Sequence, residues 1–220
     1  MNHYTAVIFD MDGTLLYTID DMTTAVNLAM SAHGFPLHTA KEVETYVNHG
    51  ARRLIELALP ENKRDEKTVD RVLETYLAAY ADHVLEKTRP YTGIPEMTAA
   101  LKQAGLKLAV VSNKPDLHAK LLAEKLFPKG TFDYVSGSGY GLPSKPDERC
   151  TARALEALGV TDKSRVAYVG DSRVDVETAA GGGLFCIGVL WGFAGVHSFD
   201  EASPDVAVST PDELQSLLLS

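Results

Sequence analysis

Cysteine is scarce in this sequence. Its 220 residues include only two cysteines, Cys150 and Cys186, which lie far apart and outside the spacing of a metal site. Such isolated cysteines are expected to be free thiols in a reducing compartment. Neither a disulfide framework nor a cysteine-ligated metal is therefore predicted.

Positive charge and long hydrophobic runs are lacking as well. The net charge of −9 disfavours nucleic acid and anionic membranes as partners, because both would repel the protein. No apolar stretch approaches the roughly 18 residues that span a bilayer. The first residues show no basic region followed by an apolar secretion segment. We expect a cytoplasmic protein that binds neither nucleic acid nor membrane, in which any anionic substrate meets positive charge supplied locally.

What the sequence does contain is a regular alternation of strand and helix patterns after residue 89. Apolar runs separated by amphipathic helices are typical of a parallel sheet with right-handed crossovers. The predicted strands are Leu106–Val111, Phe132–Val135, Val166–Val169, Leu184–Leu190 and Val206–Val208. The predicted helices run near Pro95–Ala104, Pro115–Leu126, Asp147–Leu158, Val174–Ala180 and Pro211–Leu218. We predict an α/β fold, a Rossmann-like parallel sheet core with helices on both faces.

A first strand, Tyr4–Phe9, precedes a long segment of helical pattern. Apolar residues recur there at helical spacing in four stretches with short links, which predicts a small helical bundle. Thr18 is expected to cap the first of these helices. The sequence thus predicts a core domain of residues 1–16 and 89–220, with a helical domain of residues 17–88 inserted after the first strand.

Two aspartates follow the first strand directly, in Asp10-Met11-Asp12-Gly13-Thr14. Alternation along the backbone lets Asp10 and Asp12 share one site, and the carboxyl ends of strands are where open α/β sheets bind ligands. Gly13 permits a close approach of the backbone and offers an N–H group. Such a cluster suits a hard cation and a phosphoryl group, although Asp and Gly are also ordinary turn residues.

Three more polar clusters fall beside strand ends: Ser112-Asn113, Lys145-Pro146-Asp147 and Gly170–Asp175. The first two have a plain explanation by themselves, as a helix cap and as a helix start with a solvated lysine, and each of the three clusters is weak evidence alone. Together they are more informative, because Asp171 and Asp175 would join the first two aspartates at one edge of the sheet. Four carboxylates there would repel one another unless Lys145 and a divalent cation such as Mg²⁺ compensated their charge.

These clusters, in this order, resemble the four signature motifs of the haloacid dehalogenase superfamily. The helical insertion after the first motif resembles the cap domain of that superfamily. Segments inside and outside the insertion are similar to its phosphoglycolate phosphatase branch, namely Thr18–Met30, His33–Pro36, Gly50–Leu54, Pro143–Asp147 and Val189–Phe193. The resemblance covers nearly the whole chain.

The resemblance implies a role for each matching residue. Asp10 would be the nucleophile that takes the phosphoryl group, and Asp12 the acid and base. Ser112 and Lys145 would hold phosphate oxygens, helped by backbone N–H groups near Asp12, Gly13 and Asn113. Mg²⁺ would be bound by the Asp10 carboxylate, the Asp12 main-chain carbonyl and Asp171, with Ser172 and Asp175 supporting them. The implied activity is Mg²⁺-dependent hydrolysis of a small phosphorylated metabolite, 2-phosphoglycolate being the first candidate, by a monomer or homodimer.

Two features of the helical insertion bear on the substrate. Tyr17 stands where this branch usually carries an acidic residue, at the expected hinge of the cap. His49, Arg52 and Arg53 flank the Gly50 break, in the cap loop that selects substrate in this family. An arginine there could bind a substrate carboxylate, and exposed arginines near a helix start are an equally good explanation.

Other functions remain open at this point. A sugar phosphomutase of the same fold would use Asp10 and Asp12 in the same way. A phospho-aspartate receiver domain also gathers aspartates, a hydroxyl and a lysine, but it is shorter and lacks the insertion. A dehalogenase does not need Asp12, and an inactive binding module would not keep the whole set of residues.

Overall fold

The computed structural model describes residues 4–139, 141–193 and 195–220. The chain divides into two compact units, one formed by Met1–Leu16 with Pro90–Ser220 and the other by Tyr17–Arg89. The strands, in chain order, are β1 Ala6–Phe9, β2 Leu16–Tyr17, β3 Arg89–Pro90, β4 Lys107–Pro115, β5 Tyr134–Ser138, β6 Val166–Gly170, β7 Phe185–Val189 and β8 Val206–Val208.

A six-stranded parallel sheet with the order β5-β4-β1-β6-β7-β8 forms the first unit. Strand β1 lies at its centre, where Phe9 pairs with Val110 on one side and Val169 on the other. All four residues of β1 are buried, as expected for a parallel strand covered on both faces. The short strands β2 and β3 form a separate two-stranded sheet.

Helices flank the large sheet. They are α5 Ile94–Gln103, α6 Asp116–Leu126, α7 Arg149–Leu158, α8 Arg173–Gly182 and α9 Pro211–Leu219. The helical unit has its own helices, α1 Ile19–Ala32, α2 Ala40–Glu44, α3 Ala51–Ala58 and α4 Glu66–His83. Short 3-10 helices occupy Glu61–Lys63, Lys163–Arg165 and Gly195–His197. Ile8 and Tyr168 share a buried cluster with Ala154 of α7 and Ala179 of α8, so these helices cover one face. The predicted α/β class is confirmed.

The helical unit has the four helices that the sequence predicts. Helix α2 begins with a capping box, in which the Thr39 hydroxyl accepts from the Glu42 N–H and the Glu42 carboxylate accepts from the Thr39 N–H. Tyr76 and Tyr80 are buried and stacked on α4, with ring centroids 5.7 Å apart. They therefore serve the core of this unit.

Three local predictions were wrong. Thr18 precedes α1, but its side chain makes no capping hydrogen bond. The fourth strand continues beyond Val111 to Pro115, so neither Ser112 nor Asn113 caps α6. Helix α7 begins at Arg149 rather than near Asp147, whose carboxylate accepts from the Arg149 N–H.

Among the described residues, no helix has the length and apolar character needed to cross a membrane. Cys150 and Cys186 are both free, as predicted, and both are buried. They lie in the same apolar cluster beneath the sheet.

Candidate active site

Three neighbouring strands bring the predicted motifs together at the carboxyl edge of the sheet. Asp10 follows β1, Ser112 lies in the last part of β4, and Asp171 follows β6. Because β1 lies between β4 and β6, the three positions are adjacent in space. The Asp10 N–H donates to the Val169 carbonyl at 2.8 Å, which continues the pairing to the strand end.

Lys145 connects two of the carboxylates. Its ammonium lies 2.7 Å from Asp10 Oδ1 and 2.8 Å from Asp175 Oδ1, and its side chain is buried. Burial alone would lower the pKa of Lys145, but the two carboxylates raise it well above its usual value. The lysine is thus a permanent positive charge in the site rather than a solvated side chain.

The Asp10 carboxyl group is buried and short of compensating charge. Burial raises its pKa to about 7, Lys145 opposes this effect, and Asp175 and Asp12 add to it. Its ionised form therefore needs more positive charge than Lys145 supplies. Such a group is suited to a site that receives a cation.

Asp171 completes the acidic group. It is buried, and this burial, together with Asp175 and Asp10, raises its pKa well above the usual value. The Thr14 hydroxyl donates to its Oδ1 at 3.5 Å and the Phe193 N–H to its Oδ2 at 3.2 Å. One carboxylate oxygen from each of Asp10, Asp171 and Asp175 lies within 4.8 Å of the others. Hard oxygen donors that are buried and under-compensated fit a divalent cation.

Asp175 has its oxygens engaged by protein donors. Besides Lys145, the Tyr168 hydroxyl donates to Oδ1 at 3.2 Å. The Ser172 N–H and hydroxyl donate to Oδ2 at 3.1 and 2.6 Å. Asp175 thereby fixes Lys145 and the turn after β6, which leaves Asp10 and Asp171 as the better cation ligands of the three.

Asn113 and Gly13, two of the predicted phosphate contacts, also have structural roles within the protein. The Asn113 side chain accepts from the Lys145 N–H at 2.7 Å and donates to the Lys145 carbonyl at 3.2 Å, which ties this loop to β4. The Gly13 N–H donates to the Leu16 carbonyl at 3.0 Å. The absence of a side chain at Gly13 leaves space for the Asp171 carboxylate, because a Cβ on Gly13 would lie 2.2 Å from Asp171 Oδ2.

Asp12 and Ser112 lie beside a second buried lysine. Lys114 Nζ is 3.1 Å from Asp12 Oδ1, and the Lys114 N–H donates to the Ser112 hydroxyl oxygen at 3.2 Å. Ser112 is itself buried. Each aspartate of the first motif is therefore paired with its own lysine.

The three predicted substrate-selecting residues belong to the helical unit. His49 is exposed, and Gly50 with a φ of 85° precedes α3. Arg52 is paired with Asp70 and with Glu56, and Arg53 lies 2.9 Å from Glu56. Tyr17 lies beneath the Arg89 guanidinium, 4.5 Å from the ring centroid, and its hydroxyl donates to Asp20 at 3.4 Å. The two arginines thus already have carboxylate partners.

Several contacts of the site were not predicted from sequence. They involve Thr14, Lys114, Tyr168, Trp191 and Phe193, the Trp191 indole N–H donating to the Thr14 carbonyl at 3.0 Å. Thr14 lies within the first motif and Lys114 directly follows the second, and these positions are the sequence signal that could have indicated them. Tyr168 lies within a strand pattern, where an aromatic residue predicts core packing.

The fold, with buried aspartates and lysines gathered at the carboxyl edge of its sheet, suits an α/β enzyme that handles a phosphoryl group. Residues 7–189 match the sequence profile of the haloacid dehalogenase-like hydrolases, and the chain belongs to that family. It is a phosphatase of this family, a phosphoric monoester hydrolase.

Similar proteins cover the full length of the chain. N-acetylmuramic acid 6-phosphate phosphatase of Pseudomonas aeruginosa is 34% identical over 216 residues, which are 97% of this chain and 94% of that protein. Phosphoglycolate phosphatase of Mesorhizobium japonicum is 31% identical over 210 residues, 94% of this chain and 92% of that one. A crystal structure from Lactobacillus delbrueckii subsp. bulgaricus, provisionally assigned as a phosphoglycolate phosphatase, superposes with a TM-score of 0.92 at 34% identity and covers 100% of both chains.

Proposed function

We propose that the protein is a Mg²⁺-dependent phosphatase that hydrolyses small phosphomonoesters through an aspartyl-phosphate, with 2-phosphoglycolate as the first candidate substrate. One observation carries the proposal: the buried Asp10 carboxylate lies 2.7 Å from Lys145 Nζ and within the Asp10–Asp171–Asp175 group. A carboxylate attacks a phosphate dianion only if their mutual repulsion is offset. Lys145 supplies one positive charge where that attack would occur, and a divalent cation held by the acidic group would supply the rest.

In the proposed reaction Asp10 forms a bond to phosphorus as the bond to the ester oxygen breaks. Asp12 gives a proton to the leaving alkoxide and later takes one from the water that releases phosphate from Asp10. Lys145 and Ser112 bind phosphate oxygens. Dividing the hydrolysis into two displacements makes each one easier, and positioning accounts for most of the acceleration.

Asp10, Asp171 and the Asp12 main-chain carbonyl are the groups proposed to hold Mg²⁺. The bound ion would neutralise charge between the Asp10 carboxylate and the phosphate. The raised pKa values of Asp10 and Asp171 support this assignment, since both carboxyl groups are ionised less readily without a further cation.

Two substrates are favoured by the relatives, which are named for N-acetylmuramic acid 6-phosphate and for phosphoglycolate. Both compounds are phosphomonoesters of an organic acid. We propose that His49, Arg52 and Arg53, in a helical unit that serves as the cap, select the substrate. A substrate carboxylate would have to replace Glu56 or Asp70 on these arginines. The phosphomutase alternative keeps the same chemistry but passes the phosphoryl group to a sugar hydroxyl.

The test is phosphate release from a panel of esters, with Mg²⁺ and with EDTA. The panel contains 2-phosphoglycolate, N-acetylmuramic acid 6-phosphate, hexose phosphates, nucleotides, pyridoxal phosphate and pyrophosphate. Wild type is compared with Asp10→Asn and with Asp82→Asn, which removes an exposed carboxylate on α4. We expect Mg²⁺-dependent release that Asp82→Asn keeps and Asp10→Asn loses by at least about 10³-fold.

The preferred ester would identify the substrate. Isomerisation of a hexose phosphate without net phosphate release would support the phosphomutase instead. Full activity of Asp10→Asn, or full activity in EDTA, would contradict the proposed mechanism.

A further inference from the structure

Lys114 is a buried lysine for which the reaction described above has no use. Its side chain has 0% relative exposure. Lysine is rarely buried completely, because removing an ammonium from water is costly unless an opposite charge accompanies it. The opposite charge here belongs to Asp12, the proposed acid and base, so the inference rests on the proposed function.

The contact between the two residues involves one particular oxygen. Lys114 Nζ lies 3.1 Å from Asp12 Oδ1. That oxygen is fully buried and has no hydrogen-bond partner within the described part of the chain, so its contact with Lys114 is an ion pair. The Asp12 side chain as a whole is 11% exposed. Because Oδ1 is buried, this exposed surface belongs to the other atoms of the side chain. The second carboxylate oxygen is the one that can meet a substrate.

The backbone of Lys114 is fixed by the same motif that supplies Ser112. It lies in β4 between Asn113, which ties this strand to the Lys145 loop, and Pro115, whose ring limits the local backbone. Its own N–H donates to the Ser112 hydroxyl oxygen. Because folding has already ordered this lysine, holding Asp12 requires little further loss of side-chain entropy.

We propose that Lys114 is the positioning residue of Asp12. Its ammonium holds Oδ1 in the buried position, so that Oδ2 delivers the proton to the leaving alkoxide and then takes a proton from the attacking water. The two buried lysines thus have separate partners: Lys145 pairs with the nucleophile Asp10, and Lys114 pairs with Asp12, the acid and base. A misplaced carboxylate would impair proton transfer without impairing phosphate binding.

The leaving group provides the test. p-Nitrophenolate departs without a proton, whereas an alkoxide needs one. Lys114→Met keeps the length of the side chain and removes its charge. We expect kcat for 2-phosphoglycolate, or for the best alkyl ester of the panel, to fall about 10²-fold with KM changed less than about 3-fold.

With p-nitrophenyl phosphate the same variant should behave differently in its two steps. Formation of phospho-Asp10 needs no acid and should slow by less than about 10-fold, while the hydrolysis that follows still needs Asp12. A rapid burst of about one p-nitrophenolate per enzyme, followed by slow turnover, is therefore expected.

Three further variants complete the experiment. Lys120→Met removes an exposed lysine of α6 that pairs with Asp116 and should leave both substrates unaffected. Lys114→Arg should recover part of the activity, because it restores the positive charge. Asp12→Asn/Lys114→Met should be no slower than Asp12→Asn alone, since the lysine acts only through that carboxylate.

Equal slowing of the first step with both esters, seen as loss of the p-nitrophenolate burst, or additive losses in the double variant, would show that Lys114 has only a structural role. Unchanged activity of Lys114→Met would overturn the proposal outright. If Lys114→Met fails to fold, Lys114→Gln is held to the same criteria. Wild-type inactivity toward every ester would contradict the proposed function itself, which separates the two failures.

Discussion

Asp10 and Asp12 are two residues apart in sequence, yet each faces its own buried ammonium group. Lys145 Nζ lies 2.7 Å from Asp10 Oδ1, and Lys114 Nζ lies 3.1 Å from Asp12 Oδ1. Unequal surroundings are what allow two carboxylates to perform different tasks. Asp10 shares its lysine with Asp175 and is close to Asp171, whereas Asp12 lies outside that acidic group.

Gly13 offers a prediction at the residue scale. Its φ is 84°, and an added Cβ would lie 2.2 Å from Asp171 Oδ2. Gly105 has almost the same φ, 86°, with nothing within 4 Å of its Cβ position. Gly13→Ala and Gly105→Ala should therefore share a backbone cost of about 1 kcal/mol, but only Gly13→Ala displaces Asp171.

We expect Gly13→Ala to lose Mg²⁺-dependent turnover by at least about 10²-fold, because it misplaces a cation ligand. Gly105→Ala should keep the turnover of wild type. Steady-state kinetics and thermal unfolding of both variants test this pair. Equal activity of the two variants would show that the close approach of Gly13 to Asp171 is unimportant.

At the scale of elements, the end of β4 could not be predicted from the sequence. The apolar run predicted a strand that ends at Val111, and the strand continues through Ser112, Asn113 and Lys114 to Pro115. Polar residues normally argue against a buried strand. These are accommodated because Asn113 bonds with the Lys145 loop and Lys114 pairs with Asp12. Both partners are distant in sequence, so no local pattern could reveal them.

The α/β class and the strand and helix pattern were predictable because apolar periodicity is local. The approach of the motif aspartates was predictable too, since parallel strands place their carboxyl ends together. The role of each individual side chain in the site was not predictable. That Asn113 supports Lys145, and that the Gly13 N–H bonds with the Leu16 carbonyl, depends on tertiary geometry.

Asp21 provides a prediction for α1. It is fully buried, and its carboxylate accepts from the Lys87 N–H at 3.0 Å and the Thr88 N–H at 2.8 Å. Asp21→Ala leaves these donors without a partner and should reduce the free energy of unfolding by about 2–3 kcal/mol. Asp20→Ala, which removes a partly exposed partner of Arg89 and of the Tyr17 hydroxyl, should cost less than about 1 kcal/mol. Chemical denaturation compares them, and equal losses would contradict the role given to Asp21.

For the whole molecule, the acidic site makes stability depend on pH and on divalent cations. The pKa of Asp10 is raised by burial to about 7, and burial raises that of Asp171 well above its usual value. An unfolded aspartate titrates near 4. Between about pH 4 and pH 7 the native protein therefore keeps protons that the unfolded chain has lost. The free energy of unfolding contributed by these groups must then fall as pH rises through that window.

A bound divalent cation should reverse this trend, because it stabilises the ionised carboxylates of the native state. We expect Mg²⁺ to raise the unfolding temperature strongly at pH 8 and weakly at pH 5, where protons compete for the same oxygens. Asp171→Asn removes one ligand and one titrating group, so it should flatten the pH profile and weaken the response to Mg²⁺. Thermal unfolding from pH 5 to pH 8, with Mg²⁺ and with EDTA, measures both effects. A Mg²⁺ response of equal size at pH 5 and pH 8, or one retained in Asp171→Asn, would place the cation elsewhere than on these carboxylates.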